Sequence, residues 1–256
     1  MENITEDIAP NCDVDGPRRP LVISVVGAGG KTSTILWLAE LFARGGRRVL
    51  ITTTTHMFFP DVSCPRLFCR EPGALPSPIL MQPMLACFAS WKAAVGKVRG
   101  FPSSAIDCLA ARSECDIILV EADGAHGFPL KAPDVHEPCI PQSSRCVIAV
   151  MGGQMLGQKT GPEHVHRWPL FAGITGVTAD KPLSINDLIR LIQHPEGAFK
   201  GAPEGCRRIW LINRFSHFEN NRMQMELLQP LRQGNIDAIW LGAVQENPPI
   251  TYRFVR

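Results

Sequence analysis

The sequence predicts an α/β fold in which a doubly wound, mostly parallel β-sheet is covered by helices. Short runs of aliphatic, mostly β-branched residues recur along the chain, and residues 21–26 form the first of them. Such runs are typical of strands that are buried on both faces of a parallel sheet. A helical pattern over residues 31–44 and a second strand over residues 48–53 follow, which completes a βαβ unit with a right-handed crossover.

A glycine-rich loop joins the first strand to the first helix, with the pattern G-A-G-G-K-T at residues 27–32. Its glycines permit positive φ angles and leave backbone N–H groups open to an anion. Lys31 can place a positive charge on the β- and γ-phosphates, and the Thr32 hydroxyl can bind Mg²⁺. The pattern is that of a phosphate-binding loop (P-loop), and it predicts the following nucleotide ligands: Gly27, Ala28, Gly29, Gly30, Lys31, Thr32 and Ser33.

This loop is shorter than the standard G-x-x-x-x-G-K-[ST] pattern, because Val25 stands where the first glycine would be. A glycine-rich turn that binds nothing is the alternative interpretation. The position of Lys31 favours phosphate binding, since a cation at the positive end of a helix is unfavourable unless an anion is bound beside it. We therefore predict a P-loop nucleotide-binding α/β domain over residues 21–256.

Composition and charge narrow the class of partner. The chain has 256 residues, of which 45% are hydrophobic and 20% charged, as in ordinary globular proteins. The net charge is +2, and lysine and arginine form no cluster of the kind that follows a nucleic-acid backbone. We therefore expect no nucleic-acid partner.

The N-terminal stretch and the cysteines indicate the cellular compartment. Residues 1–20 carry acids and prolines but no apolar run, so we expect a disordered tail and neither a signal sequence nor a membrane anchor. No later run approaches the length of a transmembrane helix, which predicts no membrane partner. Nine scattered cysteines without a C-x-x-C pair indicate reduced thiols. These features together predict a cytoplasmic protein.

Threonines follow the second strand, at the edge of the sheet where ligands of parallel sheets bind. Their hydroxyl groups can orient Mg²⁺ or the γ-phosphate, and we predict Thr54 as a metal ligand. The alternative is that these β-favouring residues simply continue the strand. His56, two residues later, is a candidate for either catalysis or structural hydrogen bonding.

Two acids end the strand predicted over residues 116–120. Glu121 stands where the acid of a P-loop protein supports Mg²⁺ or polarises a water molecule, so we predict it as a metal ligand and a catalytic group. Asp123 is the second catalytic candidate.

A loop rich in glycine, proline and chemically active side chains follows these acids. Lys131 lies in it, and we predict that Lys131 is a catalytic residue that contacts a second substrate or the γ-phosphate. A zinc site is the alternative use of this segment, although the spacing matches no standard zinc pattern. Its ligands would be His126, His136, Glu137 and Cys139.

The rest of the chain supplies further elements of the same fold. We predict strands over residues 145–151, 207–212 and 238–241, the last of which would be the final strand. We predict helices over residues 103–112 and 222–232, a helix capped by Ser184, and a helix-like stretch around residues 164–167.

Six segments of the chain form a recognisable set: VVGAGGKTS, ITTTTHM, VEADGAHGFPLKAPDVHEPCIP, VHRWPLFAGITG, PLSINDLIRLIQHPEGAFKGAP and LINR. The motif E-A-D-G-A-x-G-x-P-L-K is the most specific part of the set, which extends from about residue 21 to residue 214. Together these segments resemble the selenium-dependent hydroxylase accessory protein family. The resemblance implies a nucleotide-binding protein that assists the maturation of selenium-containing molybdenum hydroxylases, with a hydroxylase or its cofactor carrier as partner.

The choice of nucleotide and reaction follows from finer comparisons. The short loop is similar to that of Mur-type amide ligases, which use ATP. In the family, a late strand often ends in the guanine-binding pattern N-K-x-D, but Ser216 replaces that aspartate here, so we expect ATP with Mg²⁺. Three hypotheses stay open: hydrolysis of the nucleotide, a ligase-like or kinase-like use of it on a small substrate, and a nucleotide-gated binding protein with negligible turnover.

Overall fold

The structure is a computed structural model that describes residues 2–10, 19–58, 64–71, 82–112, 115–218 and 220–256. Strands in this part of the chain are β1 (Leu21–Gly27), β2 (Val49–Thr53), β3 (His56–Phe58), β4 (Arg66–Phe68), β5 (Met84–Phe88), β6 (Ser90–Lys92), β7 (Lys97–Arg99), β8 (Ile117–Glu121), β9 (Leu130–Lys131), β10 (Ser144–Gly152), β11 (Val165–His166), β12 (Arg207–Asn213), β13 (Ala238–Gly242) and β14 (Ile250–Val255). Helices are α1 (Glu2–Ile8), α2 (Lys31–Arg44), α3 (Ser103–Arg112), α4 (Trp168–Thr175), α5 (Ile185–Gln193), α6 (Asn221–Leu227) and α7 (Gln229–Arg232).

A nine-stranded sheet organises the molecule, in the order β14-β13-β12-β10-β1-β8-β2-β5-β4. All neighbouring strands in it are parallel except β14, which runs antiparallel to β13. The first strand, β1, lies near the middle, between β10 and β8. This arrangement confirms the predicted α/β class with a mostly parallel sheet.

Helices cover both faces of the sheet. Successive side chains of a strand point to opposite faces, so Val22 and Val26 join one hydrophobic core and Ile23 and Val25 join the other. Helix α2 packs its buried residues into the second core, while α3 and α5 pack into the first. The sheet is therefore doubly wound, as the continuous apolar strands predict.

The carboxyl ends of three neighbouring strands bring the candidate site residues together. Residues Val25 and Thr53 are both in register with Glu121, which lies on the strand between them. The P-loop that follows β1, the acid that ends β8 and the threonines that follow β2 therefore meet at one edge, where ligands of open α/β sheets bind.

Two small sheets extend this edge and were not predicted. Strands β3, β7 and β6 form an antiparallel sheet directly after the threonines. Strand β11 pairs in parallel with β9, so Val165 and His166 are extended and the helix-like stretch expected at residues 164–167 is wrong. Helix α4 begins only after Arg167, whose φ of 61° takes the chain out of the strand.

The prediction of a disordered tail is wrong for residues 2–10, because α1 packs against the sheet. Ile8 is buried in one of the two cores. Asp7 accepts a hydrogen bond from the indole N–H of Trp240 (2.7 Å) and forms an ion pair with Arg253. Residues 11–18 lie outside the described part of the chain, and the single domain over residues 21–256 stays a prediction.

The C-terminal part differs from prediction at two further elements. The strand predicted to be last is followed by β14, an edge strand whose residues alternate between partly buried and exposed. The helix predicted over residues 222–232 is two helices, α6 and α7, which meet at Leu228. Pro230 explains the break, since proline has no N–H for a helical hydrogen bond and is tolerated in the first turn of a helix.

Candidate functional site

The P-loop has a backbone that only glycine adopts readily. Gly27, Gly29 and Gly30 have φ angles of 88°, 81° and 128°. A Cβ atom on Gly27 would lie 2.3 Å from the carbonyl oxygen of Val150, far inside van der Waals contact. The glycines therefore let the loop pass close to β10 and turn tightly from the end of β1 to the start of α2 at Lys31.

The first three N–H groups of the loop are used inside the protein. Their hydrogen bonds run from Gly27 to Asp123 Oδ2 (3.1 Å), from Ala28 to the Val150 carbonyl (2.9 Å) and from Gly29 to the Phe128 carbonyl (3.1 Å). The N–H groups at the start of α2 have no intrahelical acceptor, as at any helix N-terminus. The part of the loop that can receive phosphate is thus residues 30–33, while Gly27 and Ala28 support it.

Asn213, at the end of β12, fixes the loop from the other side. Its side-chain N–H donates to the Gly29 carbonyl (2.8 Å), and its side-chain oxygen accepts from the Val244 N–H (3.1 Å). Both ends of this amide are therefore structural. Asn213 is the first residue of the segment that was compared with the guanine-binding pattern N-K-x-D. Its contact with the P-loop was not predicted.

Lys31 presents a buried ammonium group at the base of the site. Its Nζ donates to the Gly27 carbonyl (2.9 Å) and lies 4.0 Å from Glu121 Oε1. Burial lowers the pKa of Lys31, while the nearby Glu121 opposes this shift. A phosphate here would satisfy the ammonium group and also meet the positive end of α2.

Thr32 and Glu121 form the pair of oxygens suited to magnesium. The Thr32 hydroxyl donates to Glu121 Oε2 at 2.7 Å. Burial raises the pKa of Glu121, and Lys31 and the Thr32 hydrogen bond oppose that rise. Mg²⁺ is usually bound by one or two protein oxygens together with substrate phosphates, so these two residues fit the ion.

Thr54 does not join this pair. Its hydroxyl donates to the Cys139 carbonyl (2.8 Å) and its N–H donates to the Glu121 carbonyl (3.0 Å). The following residues Thr55 and His56 line the cavity, but Thr54 is not part of its lining. The reason is that β2 ends at Thr53, and the chain bends at Thr54.

Asp123 and Lys131 form a buried ion pair behind the P-loop. The side chain of each is only 1% exposed. The Lys131 ammonium group donates to Asp123, to the Gly124 carbonyl and to Glu137 Oε2 (2.6 Å for the last), which uses its three hydrogens. Lys131 is therefore held away from the cavity, unlike the ligand-contacting role predicted for it, and Asp123 reaches the P-loop by accepting from the Gly27 N–H.

Glu137 and Arg167 complete this ion network, and the sequence did not identify Arg167 as part of it. Arg167 pairs with Glu137 and also with Asp134 (3.2 Å). Burial raises the pKa of Asp123 to about 6. Burial also acts to raise the pKa of Glu137, but hydrogen bonds from Arg167 and Lys131 outweigh it and hold that pKa below its ordinary value. The positive φ of Arg167 is a consequence of its place between β11 and α4 and has no marker in the sequence.

A cavity of about 650 Å³ opens above the P-loop. This volume is typical of small-molecule sites. Four basic side chains and two carboxylates border it: Lys31, Lys92, Lys97, Arg214, Glu121 and Glu137. The excess of positive charge suits a polyanionic ligand such as a triphosphate.

His126 and Phe128 line the cavity, and both rings stack on His166. The ring of His126 stacks on that of His166 with centroids 4.7 Å apart, and the ring of Phe128 stacks on that of His166 with centroids 5.8 Å apart. Burial, and then the charge of Arg167, lower the pKa of His166 to about 4. In the described residues, no three histidine, cysteine or acidic side chains are grouped so as to hold a metal ion, so the zinc ligand set considered above is not assembled.

None of the helices in the described part of the chain has the length and apolarity of a membrane span.

Comparison with known proteins identifies the family. The family described as "YqeC protein" matches residues 23–169, more than half of the chain. A relative from Escherichia coli (strain K12), named "Uncharacterized protein YqeC", is 60% identical over 255 residues, which cover 100% of both proteins. Solved structures of FtsY are more distant: that of chloroplast FtsY from Physcomitrella patens has 13% identity and a TM-score of 0.45 (97% of this chain, 68% of that one), and that of FtsY from Mycoplasma mycoides has 12% identity and a TM-score of 0.37 (100% and 71%). The chain belongs to the YqeC family.

Proposed function

We propose that this protein binds a nucleoside triphosphate, ATP, together with Mg²⁺ at the start of α2, and that it hydrolyses the nucleotide or uses it to activate a small substrate. The observation that carries the proposal is the arrangement of Lys31, Thr32 and Glu121. A buried ammonium group and a hydroxyl–carboxylate pair meet at a helix N-terminus, with Lys31 Nζ 4.0 Å from Glu121 and Thr32 Oγ1 2.7 Å from it.

Each of these residues has a distinct task in the proposal. The N–H groups of residues 30–33 and the Lys31 ammonium group bind and neutralise the β- and γ-phosphates. Thr32 and Glu121 hold Mg²⁺, which supplies positive charge to the phosphate oxygens when it is bound. Glu121 also orients the attacking group, and Asp123 supports the site by holding Gly27.

The choice of ATP rests on the end of β12. Asn213 is occupied with the P-loop and with Val244, and Ser216 replaces the aspartate that would pair with guanine. A carboxylate that accepts two N–H groups is the chemical basis of guanine selection, and a serine hydroxyl does not reproduce it.

The biological setting rests on the resemblance of the quoted motifs. The motif at residues 121–131 and the segments that follow support a role in the cytoplasm, in the maturation of a selenium-dependent molybdenum hydroxylase. The hydroxylase, or the carrier of its cofactor, is the proposed partner.

A titration with purified protein tests the nucleotide site. ATP, GTP and ADP are titrated by calorimetry with Mg²⁺ and then with EDTA. We expect ATP to bind more tightly than GTP and to lose affinity in EDTA. Absence of binding by every nucleotide would overturn the proposal, and tighter binding of GTP would overturn the choice of ATP.

A nucleotide-gated binding protein is the second candidate, and one contact favours it. The Gly29 N–H donates to the Phe128 carbonyl, so the P-loop is bonded directly to the loop of residues 125–129 that borders the cavity. Phosphate binding at residues 30–33 can therefore shift that loop and expose a different surface to a partner. Phosphate release measured with and without candidate hydroxylases separates the two: turnover that requires the partner supports gating, and steady turnover with a small acceptor supports an enzyme.

A further inference from the structure

The cavity extends well beyond the P-loop, along the carboxyl edge of the sheet. One end is bordered by Arg214, which follows β12, and the other by residues 55–58 and the β6–β7 hairpin. Between these ends lie β10, β1, β8 and β2. With strands about 4.8 Å apart, this is roughly 19 Å of sheet edge, which is long enough for two ligands side by side.

The orientation of a bound nucleotide follows from the position of Glu121. Glu121 is the acid proposed to orient the attacking group, which approaches the γ-phosphate, so the γ end of a bound nucleotide would lie toward Glu121. Glu121 ends β8, on the side of β1 that faces β2. The γ-phosphate then points toward β2, and the nucleoside points toward Arg214. The inference drawn below rests on the proposed nucleotide site for this orientation.

The end of the cavity beyond the γ-phosphate has an unusual lining. Phe58 and Val95 are 60% and 56% exposed, although both face into the cavity. Large apolar side chains that are solvent-exposed in a concave site mark a surface that a ligand covers.

Positive charge is placed directly beside these apolar groups. The Lys97 ammonium group lies 4.8 Å from the centroid of the Phe58 ring, which is within cation–π distance. Lys92 also borders this end of the cavity. None of the described lining residues between Thr55 and Phe58 or between Lys92 and Lys97 is acidic, so none of these residues opposes a negative group.

We propose that Phe58, Lys92, Val95 and Lys97 form an acceptor subsite for a second substrate, which is a small anion that carries a flat apolar group. The flat group packs on Phe58 and Val95, and the negative group pairs with Lys92 and Lys97. In this position the second substrate lies on the far side of the γ-phosphate from the nucleoside, where an oxygen of its negative group would bond to the γ-phosphorus as the bond to the leaving ADP breaks. The small antiparallel sheet therefore serves as a substrate-binding wall.

Phenyl phosphate is a suitable probe, because it combines a flat ring with an anion. It is titrated by calorimetry into protein saturated with Mg²⁺ and a non-hydrolysable ATP analogue, with inorganic phosphate as the comparison. We expect phenyl phosphate to bind more tightly than phosphate, and Phe58→Ala and Lys97→Ala each to weaken it by about tenfold. The affinity for the ATP analogue should stay within about twofold of the parent value.

Control variants come from exposed residues elsewhere in the chain. Met225 is 53% exposed on α6, and Lys181 is exposed in a loop. Met225→Ala and Lys181→Ala should leave phenyl phosphate binding unchanged.

The same measurements separate failure of this inference from failure of the nucleotide site. If the parent protein binds the ATP analogue but not phenyl phosphate, or if Phe58→Ala and Lys97→Ala leave phenyl phosphate binding unaltered, there is no acceptor subsite. If both variants lose the ATP analogue as well, this end of the cavity holds the nucleoside and the inference is overturned. If the parent protein binds no nucleotide, the proposed function fails, and phenyl phosphate binding in the absence of nucleotide judges the subsite by itself.

Discussion

The hydroxyl of Thr32 donates to the carboxylate of Glu121 over 2.7 Å, although 89 positions of the sequence separate the two residues. The first follows the glycines after β1 and the second ends β8, and the parallel pairing of these strands brings them together. The pair places a hydroxyl oxygen and a carboxylate oxygen side by side at the start of α2.

Glu121→Gln tests the role of this carboxylate. Glutamine retains an oxygen that accepts from Thr32 but loses the negative charge, so the fold should be kept. We expect turnover of ATP to fall by about 100-fold or more while ATP affinity changes little, because the charge acts mainly in the transition state. Phosphate release and calorimetry measure the two effects. Glu246→Gln, at an exposed position, is the control. If the Glu121→Gln protein turns over ATP as fast as the parent, Glu121 is not the catalytic acid, and Asp123 is the next acid to test.

Lys31→Ala tests the phosphate-binding site itself. Removal of the ammonium group takes away a charge-assisted contact worth about 1.5–3 kcal/mol, so ATP affinity should fall by roughly ten- to a hundredfold. Calorimetry checks the affinity, and thermal unfolding checks that the variant folds. Lys181→Ala should bind ATP as the parent does. Equal affinity of the Lys31→Ala protein and the parent would remove the P-loop interpretation.

Lys131→Met should act on stability, because Lys131 and Asp123 are both buried and Lys131 also pairs with the half-buried Glu137. Loss of the cation leaves the buried Asp123 carboxylate without its partner, which typically costs about 3–5 kcal/mol. Urea unfolding should show this loss, whereas Arg44→Met, which breaks an ion pair whose side chains are 73% and 58% exposed, should cost less than about 1 kcal/mol.

A double variant separates this structural role from contact with a ligand. Asp123→Asn removes the buried negative charge that has lost its partner in Lys131→Met. The Lys131→Met/Asp123→Asn protein should therefore be more stable than Lys131→Met alone. If Lys131→Met instead leaves the free energy of unfolding intact and weakens only the binding of a substrate, Lys131 reaches the ligand in solution.

The pH dependence of stability should carry a contribution from His166. Its pKa is lowered from 6.5 to about 4 by burial and by Arg167, so the unfolded chain takes up a proton at a higher pH than the folded protein. Stability contributed by the neutral ring is therefore present above pH 6.5 and is lost as the pH falls toward 4. His166→Phe keeps the ring stack and removes the titration. The parent should lose free energy of unfolding relative to His166→Phe over this range, as measured in urea; a constant difference would contradict the shift.

How much of this site could be predicted depended on whether the information was local. The P-loop is one continuous segment, and Glu121 follows its strand directly, so a strand–glycine–lysine pattern and an apolar run with an acid were sufficient to find them. The orientation of Thr54 could not be found in this way. Its hydroxyl is taken by the Cys139 carbonyl, 85 positions away, and a carbonyl carries no sequence signal.

The misplaced elements have the same explanation. Lys131 was predicted to be a loop residue that reaches the ligand, because the pairing of β9 with β11 involves only two residues on each strand. The small sheet of β3, β6 and β7 consists of three-residue strands, which are too short for an alternating pattern to stand out. Such short strands are stabilised by tertiary contacts, and local sequence patterns carry no information on those contacts.

Asp7→Ala tests the docking of α1. The change leaves the Trp240 indole N–H and the Arg253 guanidinium without the carboxylate that now binds both, so we expect a loss of at least about 2 kcal/mol in the free energy of unfolding. Glu6→Ala, one residue earlier and exposed, should have almost no effect. If both variants unfold at the same urea concentration as the parent, α1 does not dock in solution.

The docking of α1 also sets an order for folding during synthesis. Its carboxylate contacts Trp240 and Arg253, which lie 233 and 246 positions later in the chain, and the Arg207 side chain donates to the Asp7 carbonyl (3.0 Å). The helix therefore leaves the ribosome long before these three partners, although Ile8 shares its core with residues of β1. Arg253 can pair with Asp7 only when β14 has emerged, so the polar contacts of an element near the start of the chain are among the last that can form.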